Sequence, residues 1–256
     1  MFKIDQYAYT NKLSAVHPAE KMMMAGLTML ICLIFASPPV SLLVLLIMTA
    51  AIVVFAGIPG GFLGKLLAVP LLFLVVGVVT VAVTVTGDSG LLLWGINIGG
   101  FAVGVTADGL YKAGELFLRS LGAVSCLYFL ALTTPMTEIL SLLGKLKLPP
   151  LLIELMSITY RYIFVLLETA DRIYISQASR WGYATWKSSY FSLGQLLSNL
   201  FSKSFYSSRM LYMALSSRCY QGQLRMLEKK YCLSRSNLCL IAAVDMMLAV
   251  VGLLTR

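Results

Sequence analysis

Charge is what this chain has least of. Only 12% of its 256 residues are Asp, Glu, Lys or Arg, against about 25% in an ordinary soluble domain. With 59% hydrophobic residues and a mean hydropathy of +0.86, it belongs with membrane proteins. Histidine is rarer still: His17 is the single one. A transition-metal centre needs several N, O or S ligands together, and no such cluster is visible. His17 therefore reads as a structural residue beside Pro18. An intramembrane enzyme would need a paired nucleophile and base, which one histidine outside the spans does not offer. No GxxxxGK[ST] loop occurs, so that kind of phosphate cradle is missing. The five cysteines, Cys32, Cys126, Cys219, Cys232 and Cys239, lack metal-type spacing and read as free thiols. No cleavable signal peptide is evident: the first apolar run begins only near Met22, and no small-residue cleavage pattern ends it.

What charge there is has a clear distribution. Residues 135–235 hold thirteen of the 20 basic side chains against five acidic ones, which leaves +8 of the chain's net +9. Loops rich in Lys and Arg stay on the cytoplasmic side of a membrane. The basic residues alternate with apolar ones and flank spans, a pattern that speaks against nucleic acid as the partner. A polar cytoplasmic surface of this size suits a partner protein better than a passive anchor.

A helix needs about 20 apolar residues to cross the hydrocarbon core. Run lengths predict spans at roughly 20–37, 39–57, 66–86, 113–134 and 236–256. Ser37-Pro38-Pro39 separates the first two, since proline cannot continue a helix. The turn Gly57-Ile58-Pro59-Gly60-Gly61 follows the second. Glu115 and Arg119 lie in the fourth span and Asp245 in the last. Charges at that depth are expected to pair with one another. Ser89–Ala107 is uncharged but carries Gly90, Gly95, Gly99, Gly100 and Gly104, and each interior glycine costs a helix about 1 kcal/mol. If this piece does not span, the N-terminus, the Lys65 turn and the basic block share one side. Five spans are therefore preferred, with 87–112 as an outer loop, partly helical.

The middle of the chain predicts three more helices, at about 135–146, 149–183 and 188–222, opened in part by Leu148-Pro149-Pro150, since proline fits a first helical turn. Glu154, Arg161, Glu168 and Arg172 fall on one narrow face of the second. Internal pairing along that stripe is one reading of it. The third has an apolar side of Leu193, Leu196, Leu197, Leu200 and Phe201. Its other side, with Ser192, Gln195, Asn199, Ser202 and Lys203, is too polar for a lipid-facing span. The two long helices end alike: Ala178-Ser179-Arg180-Trp181-Gly182-Tyr183 and Ala214-Leu215-Ser216-Ser217-Arg218-Cys219-Tyr220. An Arg in a last turn gains from the helix dipole. At a helix tip it can also enter a groove and grip a carboxylate with two hydrogen bonds.

Three stretches resemble the transmembrane (T) component of energy-coupling factor transporters, specifically the CbiQ type of cobalt uptake systems. They are Ile4–Leu13 with His17-Pro18-Ala19-Glu20-Lys21, Leu130–Tyr162 with Thr133-Thr134-Pro135 and Thr159-Tyr160-Arg161-Tyr162, and the two arginine motifs. The resemblance implies an all-α membrane protein of about five transmembrane helices plus cytoplasmic coupling helices, two of them long. Residues 1–134 would be the N-terminal membrane region, 135–235 the coupling region and 236–256 the last span. Family members carry two Ala-Arg-Gly signatures that dock on two ATP-binding-cassette ATPase subunits. Carried over, these fall on Ala178, Arg180 and Gly182, and on Ala214 and Arg218. Trp181 separates Arg180 from Gly182, and Cys219 stands where a glycine would follow Arg218. The implied role is non-catalytic: a scaffold in a bacterial or archaeal cell membrane, without a cofactor, serving cobalt uptake for cobalamin biosynthesis. Its other implied partners are a metal-binding substrate (S) membrane subunit and a small accessory membrane subunit. A nickel or vitamin system is the alternative. A stand-alone secondary transporter would need inverted repeats and midplane ligands, and neither is seen.

Overall fold

A computed structural model describes residues 3–35, 37–86, 92–98, 101–146, 148–220, 222, 231 and 233–255. In chain order the elements are α1 (Lys3–Thr10), α2 (Pro18–Ile34), α3 (Pro38–Ala50), α4 (Gly60–Ala82), β1 (Val83–Thr86), β2 (Leu92–Ile98), β3 (Phe101–Thr106), α5 (Ala107–Thr133), α6 (Met136–Lys145), α7 (Pro150–Ala178), α8 (Trp186–Ser216) and α9 (Arg235–Leu254). A short 3-10 turn, Lys12–Ala15, joins α1 to α2, and α3 runs on as a wider π-type turn, Ala51–Phe55. They form two compact units, residues 2–135 with 230–256, and residues 136–229.

Pro18 and Pro38 open α2 and α3 from their first turns, where a missing N–H costs nothing. His17 caps α2: its Nδ1 accepts from the Ala19 N–H at 3.0 Å. The core of the first unit follows from spacing. Val40, Val44, Met48 and Ile52 stand four apart and are fully buried, so they make one stripe along α3 and its extension. That stripe belongs to a core shared with Cys32, Cys126, Phe129, Leu132 and Leu248. Helices approach closely where side chains vanish. A Cβ on Gly122 would lie 3.0 Å from Cys32 Sγ, and one on Gly252 would lie 2.6 Å from the Phe35 ring. In α4 Val69, Leu72 and Phe73 are exposed, as suits a helix whose surroundings are lipid.

Contacts at both ends of the helices fix their directions. Glu20 meets Ser234 and Asn237, whereas Phe35 packs on Gly252 and Thr255 Oγ1 lies 3.2 Å from Ser37 Oγ. So α2 and α9 run parallel. Lys21 Nζ donates to the Thr133 carbonyl at 3.0 Å, and Arg119 donates to the Leu33 carbonyl, so α5 runs antiparallel to both. The start of α2, the end of α5 and the start of α9 therefore meet at one end of this bundle.

The glycine-rich segment differs from the loop expected for it. Its described residues are strands in the order β1-β3-β2, all antiparallel, with Thr86 opposite Ala102 and Gly95 opposite Gly104. Glycines that weaken a helix leave an extended chain possible. Strands of four to seven residues are shorter than the roughly 9–11 a membrane strand needs, and an open sheet edge is not tolerated in hydrocarbon. Residues 87–91 and 99–100 lie outside the described ones.

Apart from this small sheet the regular elements among the described residues are helical, and the architecture is that of an all-α class, multi-pass membrane protein. Among the described residues five helices are long and apolar enough to cross a bilayer: α3 with its extension, α4, α5, α7 and α9. Four are expected spans. The first expected span, α2, is 17 residues long, at the lower edge of the crossing length. The fifth is α7, whose length and composition qualify although it was expected to lie outside the membrane. The anticipated pairing of Asp245 with Arg119 does not occur. Arg119 turns to a backbone carbonyl, and neither carboxylate oxygen of buried Asp245 has a hydrogen-bond partner among the described residues.

In the second unit α7 packs with α6 and α8. Along α7, Glu154, Ser157 and Thr169 are buried, whereas Leu151, Leu152, Leu155, Ile163 and Val165 are exposed. The charged stripe pairs at Glu168–Arg172, 2.6 Å apart. Both side chains are largely exposed, so this pair adds little stability.

Candidate docking site at two arginine-bearing helix ends

The ends of α7 and α8 share one backbone design. In the first, the Arg180 N–H bonds the Gln177 carbonyl at 3.1 Å, Trp181 bonds Ala178 at 3.1 Å, and Gly182 bonds Gln177 at 2.9 Å. In the second, Arg218 bonds Leu215 at 3.0 Å, Cys219 bonds Ser216 at 3.2 Å, and Tyr220 bonds Leu215 at 3.1 Å. The long bond that closes each turn is the Schellman arrangement, which requires a left-handed residue just before its donor. That residue is Trp181 with φ 60° and Cys219 with φ 56°. The left-handed region disfavours side chains and is where glycine usually sits. Non-glycine residues held there twice, next to exposed arginines, mark positions where local strain coincides with a possible site.

This register places the expected residues. Ala178 is the last residue of α7, and Arg180 and Gly182 follow within the turn. Arg218 stands at the position equivalent to Arg180. The residue equivalent to Ala178 is Ser216, and Ala214 lies two residues earlier inside α8. Trp181 and Cys219, not Gly182, occupy the left-handed position.

Each tip is braced from behind. The Gly182 carbonyl accepts from Ser188 Oγ and from Ser192 Oγ, each at 2.8 Å. Gln177 Nε2 donates to the Ser192 carbonyl at 3.0 Å, and Tyr183 Oη donates to Gln177 Oε1 at 2.8 Å. The Tyr174 and Tyr183 rings lie 4.8 Å apart. A Cβ on Gly182 would come within 2.8 Å of both the Gln177 carbonyl and Ser192 Oγ, so this glycine is required by space. At the second tip Tyr220 Oη donates to the Glu154 carboxylate at the start of α7. That hydrogen bond to an anion, with some desolvation, holds the Tyr220 hydroxyl above its ordinary pKa of 10.0.

Trp181 is 81% exposed and Trp186 96%. Each tip thus offers an exposed arginine on a fixed backbone turn, with a guanidinium fork of the kind that fits a carboxylate, and the first also offers bare indole. Among the described residues no three His, Cys, Asp or Glu side chains come together as metal ligands, and Cys32, Cys126, Cys219 and Cys239 are free thiols.

Comparison with known proteins adds the family. Residues 10–229, both tips included, match the family described as CbiQ: Cobalt transport protein. The chain is 34% identical to the uncharacterized protein MJ1089 of Methanocaldococcus jannaschii over 254 residues, 99% of this chain and 93% of that one. It is 31% identical to the cobalt transport protein CbiQ of Salmonella typhimurium over 229 residues, 87% of this chain and 98% of that protein. It is also 31% identical, over 227 residues, to a protein of Methanocorpusculum labreanum described as a fused cobalt transport protein, CbiMQ. That match takes in 89% of this chain but 38% of the fused protein.

Proposed function

This chain belongs to the CbiQ family of cobalt transport proteins, and we propose that it is the scaffold and coupling subunit of an ATP-driven cobalt uptake system of the energy-coupling factor type. The carrying observation is the pair of matched helix ends, each presenting Arg180 or Arg218 beside a left-handed residue. Two equal tips call for two equal grooves. Paired ATP-binding-cassette ATPases, which would supply the phosphate cradle this chain lacks, provide them. The division of labour extends to the cargo: Co²⁺ is recognised by a separate membrane subunit. The fused relative supports such a neighbour, because the stretch similar to this chain is there part of a much longer transport polypeptide.

Membrane placement follows from parity. The chain leaves the bundle after Thr133 and re-enters before Arg235, and both points lie at the same end. Crossings within 136–229 must then be even in number. The described part holds one helix apolar enough to cross, α7, and α8 carries Lys187, Gln195, Asn199, Lys203 and Arg209 along its length. Hence α7 does not cross, and 136–229 stays on one side, the cytoplasmic one by its positive charge. The apolar exterior of α7 lies at the membrane surface or against the substrate subunit.

The mechanism is mechanical. ATP binding and hydrolysis move the two ATPases relative to each other. Each ATPase holds one arginine tip, so the tips move with them. The α7 and α8 rods carry that motion to the substrate subunit, which tilts and exposes its Co²⁺ site.

Labelling tests this reading. In a background without native cysteines, Ser179→Cys and Ser217→Cys, both exposed, should react from the cytoplasmic face. Adding the ATPase pair should slow both reactions. Reaction from outside intact cells, or rates indifferent to the ATPases, would remove the proposal.

A further inference from the structure

Glu20 and Lys21, adjacent in the first turns of α2, are almost wholly buried, at 1% and 3% exposure. Buried charges are costly unless they are bonded, and each of these is bonded to a different chain crossing. Glu20 Oε1 accepts from the Ser234 N–H at 2.8 Å, and its Oε2 accepts from Asn237 Nδ2 at 2.9 Å. Ser234, the residue that opens α9, makes no side-chain cap of its own, so the carboxylate supplies an anion where the positive end of the α9 dipole needs one. Lys21 Nζ donates to the Thr133 carbonyl at the end of α5, where the negative end of that helix's dipole favours a cation. Asn11 Nδ2 adds bonds to the Leu132 and Thr133 carbonyls, each at 3.2 Å. At the cap of α2, the His17 ring meets Tyr231 edge-on, 6.0 Å away.

These are the two places where the chain leaves for residues 136–229 and returns. We infer that Glu20 and Lys21 form a single joint that holds both crossings on the rigid start of α2. A load arriving along 136–229 reaches the bundle at Thr133 and at Ser234. Because both are tied to neighbouring residues of one helix, the bundle receives it as one displacement rather than as two independent strand movements. The two residues are positioning residues, and they touch no cargo. The transport role given to the joint rests on the coupling reading above, whereas its existence does not.

The test has two arms. Amide hydrogen exchange on the purified chain uses Asn237→Ala and Lys21→Met, with Lys21→Arg as the conservative form. Asn237 is exposed, so its loss leaves the fold in place. Each of the first two variants should raise exchange by about tenfold, the scale of losing one hydrogen bond to a charged group. The rise should occur at both crossings, 132–134 and 233–238, and Lys21→Arg should stay near wild type. In the second arm the full complex is reconstituted in vesicles with Co²⁺. ATP hydrolysis should persist while uptake falls about five- to 150-fold, the usual span of a coupling between sites. A change confined to each variant's own crossing, or no change, would overturn the joint. Uptake that stayed intact, or that fell in step with hydrolysis, would overturn its transmitting role. Failure of the arginine reading would show differently, as indifference to Arg180→Ala and Arg218→Ala with the exchange results unaltered.

Discussion

Cys219→Gly should tighten the end of α8. Cys219 is exposed and left-handed, with φ 56°, so the substitution loses no burial. A side chain in that region costs about 1–2 kcal/mol. The extra freedom glycine gives the unfolded chain takes back about 0.4–1 kcal/mol. The net gain is about 0.5–1 kcal/mol, a two- to fivefold slowing of local opening at about 1.4 kcal/mol per tenfold. The amides that report it are Cys219, bonded to Ser216, and Tyr220, bonded to Leu215. Hydrogen exchange of the purified protein would follow both, with Cys219→Ala as the control that keeps a Cβ. Slower exchange in the glycine variant than in the alanine variant is expected. Equal or faster exchange would show that the turn stores no such strain, and the argument from the twin left-handed residues would fail.

Other perturbations reach other parts of the structure. Gly252→Ala would press a methyl against the Phe35 ring and should lower stability by about 1–3 kcal/mol. Gly114→Ala, with open space around its Cβ, should not, and thermal unfolding in detergent would compare them. Tyr220 should ionise above the ordinary tyrosine range because its neutral hydroxyl is the form bonded to Glu154. The contact's contribution is therefore present at neutral pH and lost as pH rises through that raised value. A difference titration of wild type against Tyr220→Phe checks this, and Glu154→Gln should abolish the upward displacement. Single cysteines at Ser188 and Thr255 should label from opposite faces of the membrane, Ser188 from the cytoplasm. Labelling of both from one face would contradict a single crossing by α9 between residues 136–229 and Thr255.

Much of the fold could be read from run length. Among the described residues, four of the five long apolar helices are where uninterrupted apolar residues and the Ser37-Pro38-Pro39 break put them. The exception is α7, which is long and apolar enough to cross although its charged stripe led to the expectation that it lies outside the membrane. The β1–β3 strands were hidden because glycine argues against helix without arguing for any alternative. Asp245 and Arg119 were expected to pair because both lie in spans, but depth along a helix says nothing about which side faces which. At the tips the arginines were visible as a repeated motif. The true register was not, since aligning Ala178 with Ala214 used residue identity, whereas the hydrogen bonds align it with Ser216. The Glu20–Ser234 and Lys21–Thr133 bonds link residues more than a hundred positions apart, beyond what any local pattern carries.

The central claim concerns Arg180 and Arg218 as the grips of two ATPases. Truncating one partner of a buried charged contact costs on the order of 2–5 kcal/mol, about 30-fold or more in Kd. The decisive measurement is the affinity of the purified chain for its ATPase pair in six forms: wild type, Arg180→Ala with Arg218→Ala, the same two positions as Lys, each single alanine, and Arg209→Ala as a control of equal charge on exposed α8 surface. The account predicts that each single alanine weakens binding, that the double alanine weakens it further, and that Lys rescues poorly because an ammonium cannot make the planar fork. It also predicts that Arg209→Ala binds like wild type. A double alanine variant that binds as tightly as Arg209→Ala, or a double lysine variant that binds as well as wild type, would contradict it.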